Sequence, residues 1–160
     1  TGNKLLPETV QALCRDVDNI VGAKDSSGDT ENLKAYIRLT RELEKDVRIF
    51  AGKDDAILTC LQEGGAGGIA GRTNIWPRTV TRIYDCYMAG DLAGAQAAQD
   101  AVVGLQRAYK YGSPHVIIKT AVALQGYPVG SCRAPFNEVP EEGLAEIRKV
   151  LAENAARGLN

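Results

Sequence analysis

The chain has 160 residues, 44% of them hydrophobic, which is long enough to bury a core and too apolar for a disordered chain. Its 19 basic and 20 acidic side chains leave a net charge of −1, a balance that argues against a nucleic-acid binder. No apolar run approaches the roughly 20 residues of a membrane span, and the opening Thr1-Gly2-Asn3-Lys4 lacks the apolar segment of a secretory signal.

Helix and strand signals alternate from the start. Pro7-Glu8 opens an amphipathic stretch with Val10, Leu13 and Cys14 on one face. Asn19 to Lys24 is a short apolar run ending in lysine, and it predicts a strand buried on both faces. Asp25-Ser26-Ser27-Gly28 is turn chemistry. Asp29-Thr30-Glu31 then caps a helix whose stripe is Leu33, Tyr36, Ile37 and Leu43. Val47 to Ala51 predicts a second strand, and Gly52-Lys53-Asp54-Asp55 a turn into a helix faced by Ala56, Ile57, Cys60 and Leu61. Gly64-Gly65 stops that helix, and Ala66 to Ala70 predicts a third, glycine-rich strand. This order implies parallel strands joined by crossovers.

The pattern then becomes helical. Val80, Ile83, Tyr84, Tyr87 and Met88 form one stripe, broken at Gly90-Asp91. An alanine-rich helical stretch runs from Leu92 to Tyr109, Ser113-Pro114 opens a helix to about Leu124, and Pro140 opens a last one faced by Leu144, Ile147 and Leu151. Three parallel strands leave two open edges and cannot close on themselves. Together with a start inside a turn-to-helix transition, this leads us to expect part of a larger structure.

Four cysteines, Cys14, Cys60, Cys86 and Cys132, are far apart, and His115 is the only histidine. No zinc-ligand spacing results, so no structural metal is expected. Isolated cysteines fit a reducing cytosol, and a cytoplasmic location is the expectation.

Lys24 is the sharpest candidate for chemistry. It ends an apolar strand, where parallel α/β folds collect function. A lysine partly removed from water there would favour the free amine that attacks a carbonyl; the plain alternative is a lysine that snorkels to the surface. Gly64 to Gly68 lacks the features of a phosphate cradle, and close helix–strand packing is the favoured account. Gly52 to Asp55 could supply polar groups to the same mouth or merely begin a helix. Arg72 could grip a carboxylate or be a surface arginine beside a capping Asn74. His115 has no acid or cysteine partner nearby, and Tyr109, Tyr111 and Arg133 read as packing or interface residues.

The segment Asn19-Ile-Val-Gly-Ala-Lys24-Asp-Ser-Ser-Gly-Asp29 resembles the Schiff-base strand of the dihydrodipicolinate synthase/N-acetylneuraminate lyase family. Leu6-Pro7-Glu8-Thr9, Phe50 to Asp55, Gly64 to Ala70 with Asn74, Ile118-Lys119 and Cys132-Arg-Ala-Pro135 follow in family order, so the resemblance spans essentially the whole chain. It implies an α/β fold: part of a (β/α)8 TIM barrel, the sixth to eighth strands with their helices, plus a C-terminal helical extension. Residues 1–90 would be the barrel part and 91–160 the extension, with Thr1-Gly2 just after the fifth strand.

The resemblance also implies a class I aldolase or lyase acting on pyruvate and other 2-oxo acids, with aldehydes as second substrates and no cofactor. Lys24 would form the imine, and Gly52 and Ile69 would line its pocket. The family's Gly-Thr-Thr carboxylate motif and its proton-relaying tyrosine have no counterpart in these 160 residues. The chain alone is therefore expected to be inactive and to act with an N-terminal half, a second copy, or both, in a homo-oligomer. Ile20, Ile49 and Ile69 are expected on the face turned to that missing half. Lys-Asp-Ser-Ser-Gly looks more like the 2-oxo-acid aldolases, with Gly126-Tyr127 and Cys132 to Pro135 similar to the 4-hydroxy-2-oxoglutarate aldolase branch. A synthase-type condensation is the alternative.

Overall fold

Asp29 accepts from the amides of Glu31 and Asn32 and so starts a helix that links two parallel strands; this unit is the seed of the fold. The computed structural model describes residues 3–158; Thr1 and Gly2, expected just beyond a fifth strand, lie outside them. Helix α1 (Pro7–Asp16) precedes strand β1 (Gly22–Asp25), helix α2 (Thr30–Arg41), strand β2 (Arg48–Ala51), helix α3 (Ile57–Gln62) and the two-residue strand β3 (Gly67–Gly68). The sheet order is β1-β2-β3, all parallel, with Ala23 opposite Ile49 and Phe50 opposite Gly67. Four helices follow: α4 (Pro77–Met88), α5 (Leu92–Val103), α6 (Pro114–Leu124) and α7 (Glu141–Ala156). A 3-10 segment, Gly104–Tyr111, continues α5 where a single long helix is expected from sequence.

The sheet is covered on one side only. Strand side chains alternate between faces, and Ile49 and Ala51 pack with Leu33 and Ile37 of α2, Cys60 of α3 and Cys14 of α1. The other face, carrying Lys24 and Phe50, has no helix over it among the described residues. This corrects two expectations. The run Asn19 to Lys24 is not a strand buried on both sides: pairing begins where the Arg48 amide donates to the Val21 carbonyl, Val21 is exposed, and Lys24 is exposed. An apolar run reports burial in an assembly, and here only one face has a partner. Ile49 does not turn to the open face either; it is 2% exposed among helices. Ile20 packs partly against that same helical core, so of the three isoleucines only Ile69 lies bare.

Glycines permit the close helix–strand contact. A Cβ on Gly68 would sit 2.7 Å from Ile57 Cγ1, and one on Gly65 would overlap Cys60 Sγ. Gly64 has φ +86°, which ends α3 in the left-handed conformation. Leu13, Tyr84 and Met88 lie on their predicted helical stripes but are exposed, because those stripes are wider than the neighbours that cover them. A second core joins Ile57, Leu58 and Leu61 of α3 to Ile83 of α4 and Ala98 and Val102 of α5. A third lies among the last helices, around Trp76, Leu105, Ile117 and Ile147. No helix of the described residues is long and apolar enough to cross a membrane.

Candidate active site

Lys24 is the third residue of β1, at the carboxyl end of the strand, opposite Phe50. The ladder continues past the strands: the Gly52 amide donates to the Asp25 carbonyl at 2.7 Å, and the Ile69 amide donates to the Ala51 carbonyl at 2.9 Å. With alternating faces, Lys24, Phe50, Gly52, Gly67 and Ile69 share the helix-free side. Contact geometry agrees. A Cβ on Gly52 would overlap Ser26 Oγ and sit 2.7 Å from Lys24 Cε, so the lysine stem crosses directly over the Gly52 backbone. Ile69 is 53% exposed, one strand further on.

Lys24 opens into a groove of about 770 Å³ bounded by Ser26, Ser27, Leu5 and Tyr36. The Tyr36 hydroxyl donates to the Leu5 carbonyl at 2.8 Å and so fixes the groove's outer wall. A smaller cleft of about 240 Å³ near Lys45 and Arg48 lies at the amino ends of the strands, away from the end where such folds carry chemistry.

The turn after Lys24 is held by a residue that the sequence marks only as turn chemistry. Asp25 points to the helix side and is 8% exposed. Its Oδ1 accepts from the Ser27 amide at 2.8 Å and its Oδ2 from Asn32 Nδ2 at 3.1 Å. The carboxylate therefore ties the strand end to the first turn of α2. The signal available in sequence was an aspartate two residues before Ser27 at a strand end.

Arg72 fits neither sequence reading. It is 2% exposed; its amide donates to Asp54 Oδ1 at 2.7 Å, and its guanidinium donates to the Tyr109 hydroxyl and the Val102 carbonyl at 3.0 Å each. All those partners are internal, so it tethers the turn after β2 to the C-terminal helices. Asn74 donates back to the Gly71 carbonyl. His115 is exposed and meets the Phe136 ring edge-on at 5.8 Å. Burial pushes the thiols of Cys14 and Cys60 up, away from the reactive thiolate. No group of three potential metal ligands occurs among the described residues.

The sequence pattern of the dihydrodipicolinate synthetase family matches residues 1–154. The chain belongs to that family. It is similar to the 4-hydroxy-tetrahydrodipicolinate synthase of Methanoculleus marisnigri, with 36% identity over 94% of this chain and 51% of the relative. It is 32% identical to a probable 2-dehydro-3-deoxy-D-pentonate aldolase, YjhH, of Escherichia coli, over 94% of this chain and 51% of that one. Among solved structures, dihydrodipicolinate synthase from Thermotoga maritima superposes with TM-score 0.89 at 26% identity, covering 97% of this chain and 52% of the other. The Escherichia coli prophage protein YagE, solved in complex with pyruvate, gives TM-score 0.88 at 26% identity, over 96% of this chain and 52% of its own. The chain spans about half the length of the curated relatives it matches.

Proposed function

We propose that this chain is the imine-lysine part of a pyruvate-type aldolase or lyase, with Lys24 as the lysine that attacks the ketone. The observation that carries this reading is the packing of Lys24 Cε against Gly52 on the open face of the sheet, in a chain of this family. The Lys24 amine adds to the ketone carbon of a 2-oxo acid to give a carbinolamine. Loss of water leaves the protonated imine. That imine accepts the electron pair of the breaking carbon–carbon bond while the substrate hydroxyl gives its proton to a base, so an aldehyde departs and an enamine remains. Gly52 gives the substrate room beside the lysine, and Ile69 supplies an apolar wall. No metal or organic cofactor is needed for these steps.

In this reading β1, β2 and β3 are the sixth, seventh and eighth strands of a (β/α)8 barrel, residues 1–90 form its C-terminal part, and residues 91–160 form a helical extension. A carboxylate-binding motif and a proton relay come from an N-terminal half, and the assembly is a homo-oligomer in the cytoplasm. Condensation of the synthase type is the second reading, favoured by the relatives named as synthases. The two run through the same imine and differ in the second substrate.

Borohydride reduction in the presence of pyruvate, followed by peptide mass measurement, tests the proposal. The expected product is a reduced adduct on the Lys24 peptide of the full-length protein or of the chain reconstituted with its N-terminal half. An adduct on another lysine, or none, overturns the assignment.

A further inference from the structure

The turn between β2 and α3, Gly52-Lys53-Asp54-Asp55, is held from outside by α5. Gln99 is 5% exposed. Its Nε2 donates to the Asp54 carbonyl at 2.7 Å, and its Oε1 accepts from the Leu58 amide at 2.9 Å. A buried primary amide can donate to one and accept from the other at once, and losing either bond leaves a buried backbone group unpaired. From the opposite side, Asp54 Oδ1 accepts from the Arg72 amide at 2.7 Å, with the Arg72 guanidinium 3.9 Å from Asp54 Oδ2. Two residues before this clasp lies Gly52, whose amide donates to the Asp25 carbonyl and whose Cα lies under the Lys24 stem. A shift of Asp54 is therefore passed to Gly52, and from Gly52 to Lys24.

We propose that Gln99 is a positioning residue for Lys24. By fixing the Asp54 carbonyl it sets how closely the Gly52 backbone approaches the lysine stem, and so where the amine stands relative to a bound ketone. This rests on the reading of Lys24 as the imine lysine. The bond to Asp54 carries the effect, since the bond to Leu58 only anchors the start of α3.

The test uses the full-length protein and pyruvate, with the rate of borohydride-trappable adduct on Lys24 measured against pyruvate concentration. Gln99→Met keeps the volume and loses both bonds. Gln99→Glu, assayed at alkaline pH so that burial does not keep its carboxyl protonated, keeps the bond from the Leu58 amide and loses the donation to Asp54. Both variants are expected to lower the saturating rate about tenfold or more, with the half-saturating pyruvate concentration within about twofold of the wild type. That split marks positioning; general loosening of the site would weaken pyruvate binding as well. If Gln99→Met loses its circular-dichroism signature, Gln99→Glu decides. A folded variant of either kind with the wild-type saturating rate overturns the positioning role. A wild-type protein with no adduct on Lys24 overturns the functional reading itself.

Discussion

The two faces of the sheet are built to different rules. On the helix side, Ile49, Ala51 and Cys60 are almost wholly excluded from water, and glycines sit where helix atoms press on the strands. On the open side, Lys24 and Ile69 are exposed, and Gly52 makes room for a lysine. The difference teaches that the same alternating strand pattern serves cohesion on one face and access on the other. The same kind of substitution should therefore have different consequences on the two sides.

The strongest test of that contrast is Lys24 itself. In the active assembly, Lys24→Ala is expected to abolish the pyruvate adduct while leaving the circular-dichroism spectrum unchanged. Lys24→Arg should be equally inert, because a guanidinium stays protonated and cannot attack a carbonyl. An adduct surviving in either variant would move the chemistry elsewhere.

The next comparison sets two glycines against each other. Gly52→Ala places a methyl against Lys24 Cε and Ser26 Oγ, and the adduct rate should fall by about a hundredfold. Gly68→Ala places one against Ile57, which is 2% exposed and held in the core. It should cost about 1–3 kcal/mol of stability and leave the chemistry of the folded fraction nearly intact. Rate measurements paired with denaturant titrations would separate the two, and the same response from both would erase the distinction between the faces.

Two isoleucines extend the test to packing. Ile49→Ala should destabilise by about 2–5 kcal/mol, whereas Ile69→Ala in the isolated chain should stay within about 0.5 kcal/mol. If Ile69 proves costly in the isolated chain, a second copy already covers the open face. Sedimentation at low micromolar concentration reads association separately: pairing through the bare parallel edges is the expected result, and it leaves Ile69 uncovered.

The smallest expected effect is at Asp29. Its carboxyl is held below the ordinary range, first by the hydrogen bond from Lys4 and next by the Asn32 amide. A depressed value in the folded chain means a contribution present above the unfolded carboxylate range and lost as pH falls through the folded value. Asp29→Asn should therefore lower stability slightly at neutral pH, with the difference from the wild type closing as pH falls below about 4.

Much of this was legible in the sequence because it depends on local signals. Ser113-Pro114 and Pro140 announce α6 and α7, Asp29 announces α2, and Gly64 announces the end of α3. Lys24 stood out by its place at the end of an apolar strand, Gly52 and Ile69 were named as pocket residues through family resemblance, and alternation along short parallel strands does bring them to one face. Buried polar partnerships were not legible. Arg72 finds Asp54, Val102 and Tyr109 at separations of 18, 30 and 37 residues, and Gln99 reaches back 45 to the Asp54 carbonyl. No periodicity encodes a hydrogen bond across such distances. The extent of β1 was misread because Ile20 and Val21 are apolar enough for a strand, yet with Asn19 they serve as the approach from α1.

The core that joins Ile57, Leu58 and Leu61 to Ala98 and Val102 draws on elements before and after Gly90 in the chain, so the polypeptide on either side of that residue is inherited as one lock. A chimera joined at Gly90 from two distant relatives would present α3 with an α5 shaped for different side chains. Small residues such as Ala98 leave no slack, since each is fully covered and any enlargement needs a matching reduction across the core. Substitutions accumulated along these helices would then come in compensating pairs, and recombination within the fold would succeed only where both partners travel together.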